Sequence, residues 1–396
     1  MKVAMLHWAF APIIGGVETH LAMLGPDLVR DGCQVALLTG AVDGRPSEES
    51  WQGMYVRRTP LMDLNSLTPA SIVAHREEIA RELADFIRDV EPELVHVHNM
   101  HYFSPEHARA LGEICRRRSI PLLLTAHNVW EDLLWQKMLA YREQWDGIIA
   151  VSNYIKRELI RAGYPAARID VVYHGIDTEK FRPGDGERPP ELIGRRVIFH
   201  PARMSLAKGS DVVVRAGALI RKEFPDVILV LTGTEKTVDW GSYQQGEVEA
   251  VRRLIRDLDM EEHVYIRFLP WHEMPAMYRA ADIVVYPSRF DEPFGLVMLE
   301  AMATARPVVV SRAGGMPEVV QDGVSGLVVP MGDHEALAEA VLSLLRDPAL
   351  AKSLGERGRH EVERAFTKEL MVARTLSLYR RVLDWRPMRG VVGWTK

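Results

Sequence analysis

The sequence predicts an α/β protein built from two parallel-sheet domains, on three observations. Short apolar runs alternate with amphipathic stretches from one end of the chain to the other. The alternation pauses at one polar, Pro- and Gly-rich segment, Phe181-Arg-Pro-Gly-Asp-Gly-Glu-Arg-Pro-Pro190, and then restarts. At 396 residues the chain is too long for one compact domain and fits two of about 200 residues each.

In the first half, residues 3–6, 35–39, 94–98, 122–125, 148–151 and 169–172 are short apolar runs that read as strands. Between several of them, residues 18–31, 71–90, 105–118 and 154–162 repeat apolar positions at helical spacing. The second half repeats the theme, with strands at 197–200, 227–232, 264–268, 283–286, 308–310 and 326–329. Its helices are expected at 209–224, 247–257, 273–280, 296–303, 316–321 and 334–346. Such alternation implies parallel sheets covered on both faces, because each parallel connection needs a crossover. A last helical stretch, 368–383, is followed by a Trp- and Gly-containing tail, and its periodicity fits packing on either domain. Ligands of parallel sheets bind beyond the carboxyl ends of the strands, so the loops after strands are where chemistry is sought.

Composition excludes several classes. With 47% hydrophobic and 26% charged residues the chain is of ordinary globular type. A net charge of −5 argues against a nucleic-acid or anionic-membrane partner. Cys33 and Cys115 are too few for a disulfide scaffold and wrongly spaced for zinc, so a reducing cytoplasm is the expected compartment. The apolar N-terminus is broken by Pro12 and Gly15-Gly16 and lacks a small-x-small cleavage pattern, so it reads as strand and loop, not a signal peptide. No apolar run reaches the roughly 18 residues that a membrane span needs.

The most informative segment is Asp291-Glu-Pro-Phe-Gly-Leu-Val-Met-Leu-Glu300. Glu292 falls in a Pro/Gly turn and Glu300 about one turn into an apolar helix. Amides at Phe294, Gly295 and Leu296 would be unpaired at that helix start, where the dipole favours a phosphate. The two carboxylates can accept hydrogen bonds from hydroxyls on either side of it, a sugar on one and a ribose on the other. Taken alone, two glutamates so spaced are more often solvated helix charges.

Other clusters after strands change that balance. Gly15-Gly16-Val17-Glu18 opens a helix after the first strand, where glycines let amides approach an anion, although a plain tight turn fits equally. His127 follows an apolar strand and can hydrogen-bond a sugar hydroxyl, though an isolated histidine is commonly structural. Arg203 and Lys208 flank the turn before Gly209-Ser210-Asp211, and two cations there can neutralise a departing diphosphate. Singly, each reads as a surface charge. Gly314-Gly315-Met316-Pro317-Glu318 is a further Gly-rich turn at a helix start. His96, His98, His101 and His107 cluster in sequence, with His96 and His98 on one strand face, but the set lacks a tetrahedral fourth ligand. The run His98-Asn99-Met100-His101 is therefore expected to line an acceptor pocket. Asp257-Leu258-Asp259 ends a helix and reads as a surface pair, not a metal motif, and Arg116-Arg117-Arg118 as a helix C-terminal cluster.

In order, Gly-Gly-Val-Glu, Ala-His-Asn, Val-Ser, His-Gly-Ile-Asp, Phe-x-Pro, Pro-Ala-Arg…Lys-Gly, Tyr-Pro-Ser, Glu-Pro-Phe-Gly-x4-Glu-Ala-Met and Gly-Gly-x-Pro-Glu-Val-Val resemble retaining glycosyltransferase family 4. The resemblance spans nearly the whole chain and is densest from 264 to 330. It implies the GT-B fold, two Rossmann-like domains facing across a cleft. Residues 1–183 with 367–396 would form an acceptor-binding domain completed by a crossover helix, and residues 191–366 a nucleotide-sugar-binding domain. His127, Arg203, Lys208 and Glu292 would be the catalytic set, with His127 and Glu292 on the donor sugar and the cations on the leaving diphosphate. Gly16, Gly233, Phe294, Gly295, Leu296 and Glu300 would bind the donor, Glu300 through the ribose. Gly15, Glu18, Asn99 and His101 would serve the acceptor.

The implied reaction is metal-independent and cofactor-free transfer of a hexose from a nucleotide sugar, UDP-linked before GDP-linked, to a soluble metabolite, oligosaccharide or natural-product intermediate. Retaining members react on one face of the sugar, with the departing phosphate helping to deprotonate the acceptor, which needs no separate nucleophile–base pair. Fixed cations suit this because the leaving diphosphate carries more charge in the transition state than in the bound donor. A sugar-nucleotide epimerase and a non-catalytic sugar-nucleotide-binding protein are the competing readings. Departures from the family pattern are Asn128 beside the histidine, His174 in place of an asparagine, Thr232-Gly233-Thr234-Glu235 without a second glycine, Phe268 near the base, and Ala305 in place of a glycine.

Overall fold

Two separate parallel sheets organise the chain in a computed structural model that describes residues 1–184, 186–233, 242–270 and 272–384. The expected positions Thr234 and Glu235, and the tail beyond 384, lie outside the described residues.

The first unit comprises Met1–Tyr173 and the described residues from Glu369 onward. Its elements are β1 (Lys2–Leu6), α1 (Gly16–Arg30), β2 (Gln34–Gly40), β3 (Glu48–Trp51), β4 (Met54–Thr59), α2 (Pro69–Ala74) and α3 (Arg76–Val90). They continue with β5 (Leu94–His98), α4 (Pro105–Arg117), β6 (Leu122–Ala126), α5 (Leu133–Met138), β7 (Gly147–Ala150), α6 (Asn153–Arg161) and β8 (Ile169–Val171). The eight strands run in the order β3-β4-β2-β1-β5-β6-β7-β8. All neighbours are parallel except β3 and β4, which form a hairpin.

The second unit, His174–Lys368, contains β9 (Arg196–Arg203), α7 (Ser210–Ile220), β10 (Val227–Gly233), α8 (Ser242–Asp257), β11 (Val264–Phe268) and α9 (Met274–Ala280). It continues with β12 (Ile283–Tyr286), α10 (Leu296–Ala303), β13 (Val308–Ser311), α11 (Met316–Val319), β14 (Leu327–Val329), α12 (His334–Arg346) and α13 (Pro348–Ala365). Six parallel strands run β11-β10-β9-β12-β13-β14. Ile198, Leu229, Ile283 and Val309 of the sheet pack with Val213, Leu337 and Val341 of its helices. The last helix, α14 (Lys368–Asp384), belongs to the first unit's core. There Met371, Val372, Leu376 and Tyr379 join Val3, Leu94 and Leu123, and the Tyr379 hydroxyl meets His96 Nδ1 at 2.6 Å.

The sequence places the domain boundary at 183–191, whereas the two units divide ten residues earlier, between Tyr173 and His174. Buried apolar side chains explain the difference. Ile176 pairs with Thr367, and Arg359 donates to the Phe181 carbonyl at 2.9 Å. Phe181 is fully buried with its ring edge-on to Tyr278 at 5.9 Å. The Pro/Gly segment is thus a strap on the second unit: further along, Arg188 ion-pairs with Asp282 at 2.6 Å.

Three local differences have equally local causes. The β3–β4 hairpin escapes the apolar-run criterion because its faces carry ion pairs, including buried Arg58 with Glu49 at 2.9 Å. Its turn uses Gln52 and Gly53 at φ 48° and 85°, the positive pair that a tight hairpin needs. The expected 71–90 helix is interrupted at His75, which leaves the helical region at ψ 15°. Helix α13, which the periodicity reading passes over, starts where Asp347 accepts from the Ala349 and Leu350 amides and Pro348 takes the first turn.

Helix α10 ends in a Schellman arrangement: the Ala305 amide bonds to Met302 O and the Arg306 amide to Ala301 O. Ala305 holds the left-handed position, φ 57°, that glycine normally fills. We expect Ala305→Gly to stabilise the protein by about 0.5–1 kcal/mol, read from urea unfolding. A destabilised variant would show that Ala305 bears no strain there.

Candidate functional site

In the second sheet the connections run outward from β9 through β10 to β11, and from β12 through β13 to β14. The order therefore reverses between β9 and β12, the point outside whose carboxyl ends open α/β sheets take ligands. Arg203 ends β9, Lys208 lies in the following loop, Tyr286 ends β12 and Glu292 lies in the loop after it. Lys208 Nζ donates to Glu292 Oε1 at 2.7 Å, and the Tyr286 hydroxyl donates to the same oxygen. Glu292 is only 4% exposed, so these two donors stand in for water around its charge. Burial, then the Glu292 charge, push the Tyr286 phenol well above its ordinary range, which keeps it a donor. The Lys208 ammonium also lies 4.4 Å from the Phe290 ring centre. The Arg203 side chain makes no hydrogen bond or ion pair among the described residues and is half-buried.

Two loops are pinned to make this contact. After β9, Ser205 Oγ accepts from the Lys208 amide at 3.3 Å and Ser210 Oγ from the Ser205 amide at 3.1 Å. His200 Nδ1 must donate to the Val285 carbonyl at 3.1 Å, so its Nε2 accepts from the Ser210 hydroxyl at 3.3 Å. Gly209 has φ 79°, and a Cβ there would stand 2.0 Å from Pro287 O. After β12, the Gly315 amide donates to Glu292 O at 2.7 Å and the Gly314 amide to Asp291 Oδ1 at 2.8 Å. The Gly314-Gly315 turn is accordingly the seat of the Glu292 backbone.

Gly295, at φ 90°, is the N-cap of α10, and no side chain caps that helix. Leu296 is its first residue, while the Phe294 ring is buried edge-on to His174 at 5.1 Å. One turn in, Glu300 is buried and accepts from the Tyr278 hydroxyl at 2.6 Å. Burial raises its carboxyl to about 7, against the pull of Tyr278 and of the Lys180 charge. Burial also lowers the Lys180 ammonium to about 8, with Glu300 opposing. Gly233 ends β10 in register with Phe268, whose side is half exposed.

In the first unit the strand order reverses between β1 and β5. Gly15, Gly16 and Glu18 follow β1, Asn99 and His101 follow β5, and His127 follows β6. Glu18 is buried, with Oε1 at 3.3 Å from His7 Nε2, and His7 Nδ1 donates to His98 O at 3.1 Å. A Cβ on Gly15 would stand 2.2 Å from Glu18 Oε2, whereas Gly16 faces open space. Asn99 takes the left-handed conformation, φ 55°, and its Oδ1 accepts from the His127 amide at 2.8 Å, which fixes the backbone at His127. His101 is fully buried, donates Nε2 to Asn128 O at 2.8 Å, and is kept neutral by burial, which lowers its pKa to about 4.

The four histidines that cluster in sequence do not gather in space as one set. His96 bonds Tyr379 and Thr125, and His107 bonds Ser104 Oγ at 2.6 Å and Leu61 O at 2.8 Å. Instead His98 Nδ1 meets His127 Nε2 at 3.0 Å, and His20 from α1 packs on both rings. Asp257 and Asp259 are exposed at the end of α8, and Arg116, Arg117 and Arg118 at the end of α4, as surface charges.

Sequence reasoning missed Tyr286, Tyr278, Lys180, His7 and His20. Tyr286 was available as the first residue of the Tyr-Pro-Ser run, and His20 lies two residues beyond Glu18. Tyr278 carries no local signal, since its partner is 22 residues away on another helix.

Comparison with known proteins identifies the family and the fold. Residues 14–180 match the family described as Glycosyltransferase Family 4 and residues 187–361 that described as Glycosyl transferases group 1. An alpha-maltose-1-phosphate synthase of Mycolicibacterium smegmatis is 31% identical across 96% of this chain and 100% of its own. A GDP-mannose-dependent alpha-(1-6)-phosphatidylinositol monomannoside mannosyltransferase of the same species is 34% identical across 63% of this chain and 68% of its own. Among solved structures, sucrose-phosphate synthase from Thermosynechococcus elongatus has the same fold, with TM-score 0.81, 22% identity, and coverage of 97% of this chain and 99% of that one.

The buried Glu300 sets a pH dependence. Its folded-state value, about 7, lies above the ordinary carboxyl value, so the folded protein holds this proton more tightly than the unfolded chain. Its contribution to stability is therefore lost as pH rises from the ordinary carboxyl range through about 7. We expect Glu300→Gln to gain on the wild type between acid and alkaline pH, by on the order of 1–3 kcal/mol, in urea unfolding at several pH values. Parallel profiles would place Glu300 in the ordinary range.

Proposed function

The chain belongs to the family 4, group 1 glycosyltransferases, and we propose that it moves a hexose from a nucleoside-diphosphate donor to a hydroxyl of a soluble acceptor, with retention of configuration. The enzyme is a glycosyltransferase of the GT-B fold. The observation that carries the proposal is the Lys208–Glu292–Tyr286 contact at the reversal point of the second sheet. Without donor, Lys208 balances Glu292. A bound diphosphate offers Lys208 a second anion, and Glu292 then retains Tyr286 as a donor while accepting from sugar hydroxyls.

In the reaction, the bond between the anomeric carbon and the β-phosphate oxygen breaks, and its electrons leave with the nucleoside diphosphate. Lys208 and Arg203 meet the added charge where it develops, which lowers the barrier more than it tightens donor binding. The acceptor oxygen bonds to the anomeric carbon on the same face, and its proton passes to the leaving phosphate oxygen. Glu300 takes the ribose hydroxyls, and Phe268 beside Gly233 presents an apolar face to the base. The two cations supply the neutralisation that a divalent metal provides elsewhere, so the transfer is proposed to run without one.

A UDP-hexose is the donor favoured here. A GDP-hexose is the second reading, because a relative 34% identical is named for GDP-mannose. For the acceptor, the relative matched along its whole length is named for a sugar phosphate, which supports a soluble, sugar-sized molecule. The net charge of −5 also disfavours an anionic lipid surface.

Thermal-shift and turnover measurements with UDP-, GDP- and ADP-hexoses should show one donor class stabilising the folded chain and being slowly hydrolysed. A folded protein indifferent to all of them would reject the proposal, and a new sugar nucleotide formed without acceptor would mark an epimerase instead. Lys208→Met is expected to lower kcat by about 100-fold or more while donor affinity changes by less than about tenfold. Equal losses in both would assign Lys208 to ground-state binding.

A further inference from the structure

We propose that Lys180 is a positioning residue for the donor: its ammonium stabilises the ionised Glu300 carboxylate, which then accepts from the ribose hydroxyls. The inference rests on the proposed reading of Glu300 as the ribose ligand. Lys180 lies in the strap that the second unit receives just after the boundary between the units. Its ammonium stands 5.8 Å from the Phe181 ring centre, and that ring is edge-on to Tyr278 at 5.9 Å. Tyr278 in turn donates to Glu300 Oε2 at 2.6 Å, so the ammonium, the two rings and the carboxylate form one contiguous group.

The strap is fastened on both sides of Lys180. Asp177 Oδ1 accepts from the Glu179 amide at 3.0 Å and the Lys180 amide at 2.9 Å, and Asp177 Oδ2 pairs with Lys368. Arg359, from α13, donates to Thr178 O at 3.3 Å, Phe181 O at 2.9 Å and Ala303 O at 2.7 Å. Ala303 ends α10, so one guanidinium ties the Lys180 turn to the helix that carries Glu300. The other charges near the pair are already engaged. Asp177 is balanced by Lys368, and Arg359 by Glu363 at 2.6 Å, while burial and the Glu300 charge keep Tyr278 a neutral phenol. Among the described residues Lys180 is the cation that acts on Glu300, and Glu300 acts on it more strongly than Asp177 does. An ionised carboxylate offers both oxygens to hydroxyl donors, whereas a protonated one turns part of that capacity to donating. Burial favours the protonated form of Glu300, and the Lys180 charge opposes it.

Carboxyl 13C NMR of the full chain without ligand, with Glu300 assigned by comparison with Glu300→Gln, reads the titration of Glu300 directly. Lys180→Met should raise its midpoint from about 7 by on the order of half a unit to one unit, and Lys180→Arg should not. Calorimetric binding of UDP, GDP and ADP to the same proteins, each checked for folding by thermal unfolding, reads the consequence. At about pH 6, Lys180→Met should weaken the best-bound nucleotide about three- to tenfold, and Lys180→Arg should restore it. Burial lowers the Lys180 ammonium to about 8, so at about pH 9 the wild type and Lys180→Met should converge, which a merely structural loss would not do. In a Glu300→Gln background, Lys180→Met should cost nothing further. An unmoved Glu300 midpoint, an equal deficit at every pH, or a full deficit in the Glu300→Gln background would each overturn the inference. A folded wild type that binds none of the three nucleotides would instead reject the donor reading itself, and the ribose role with it.

Discussion

The buried Glu292 carboxylate is the constraint on which the second unit's site depends. An ionised carboxylate removed from water costs several kcal/mol unless donors replace the lost hydration. Lys208 and Tyr286 are those donors, and they come from loops after neighbouring parallel strands, β9 and β12. Bringing the two loops together forces the backbones into contact. Gly209 has no room for a Cβ because Pro287 O lies where it would be, and Gly314 has none because Glu292 O does. These glycines are consequences of the ion pair's position. The same contact explains how the site exists without ligand: Lys208 and Glu292 neutralise one another.

Two carboxylates from one short segment meet different surroundings, and the difference sorts their uses. Glu292 faces a full ammonium at 2.7 Å. Glu300, on α10, faces a phenol at 2.6 Å, with the Lys180 charge acting on it as well. A phenol replaces only part of the hydration that an ionised carboxylate loses, which is why Glu300 rises to about 7. It can thus accept from hydroxyls when ionised at little structural cost to its neighbours, since Tyr278 occupies only one of its oxygens. The proposed hydroxyl recognition by Glu300 is thus separate from the charge compensation between Lys208 and Glu292.

Much of the fold was legible because its signals are local. The 94–98, 264–268 and 283–286 strands and the 296–303 and 334–346 helices fall where apolar runs and spacing put them. What failed was non-local. The β3–β4 hairpin is held by ion pairs that read as loop polarity, and Pro/Gly composition marked 181–190 as a linker without revealing which core receives Ile176 and Phe181. At the site, motif order found Lys208, Glu292 and Glu300, and offered Tyr286 within Tyr-Pro-Ser, yet Tyr278, the phenol partner of Glu300, was invisible until the helices were adjacent. Strand alternation rightly put His96 and His98 on one face, with rings 4.2 Å apart. It could not say that His98 would turn to His20 and His127 while His96 bonds Tyr379 of the last helix.

Each unit places its functional side chains by the same rule, at the point where its strand order reverses, but fills that point with different chemistry. In the second, Lys208 is ion-paired with Glu292, and the Arg203 guanidinium has no hydrogen bond or ion pair among the described residues. In the first, the loops after β1, β5 and β6 present imidazoles, and Arg58, which donates to Ala11 O in the β1 loop, is itself paired with Glu49. Neutral imidazoles offer lone pairs and N–H groups to hydroxyls, and lone pairs to a soft cation, but little to a phosphate. The charge distribution therefore makes the second unit's reversal point the better seat for the anionic part of the proposed donor.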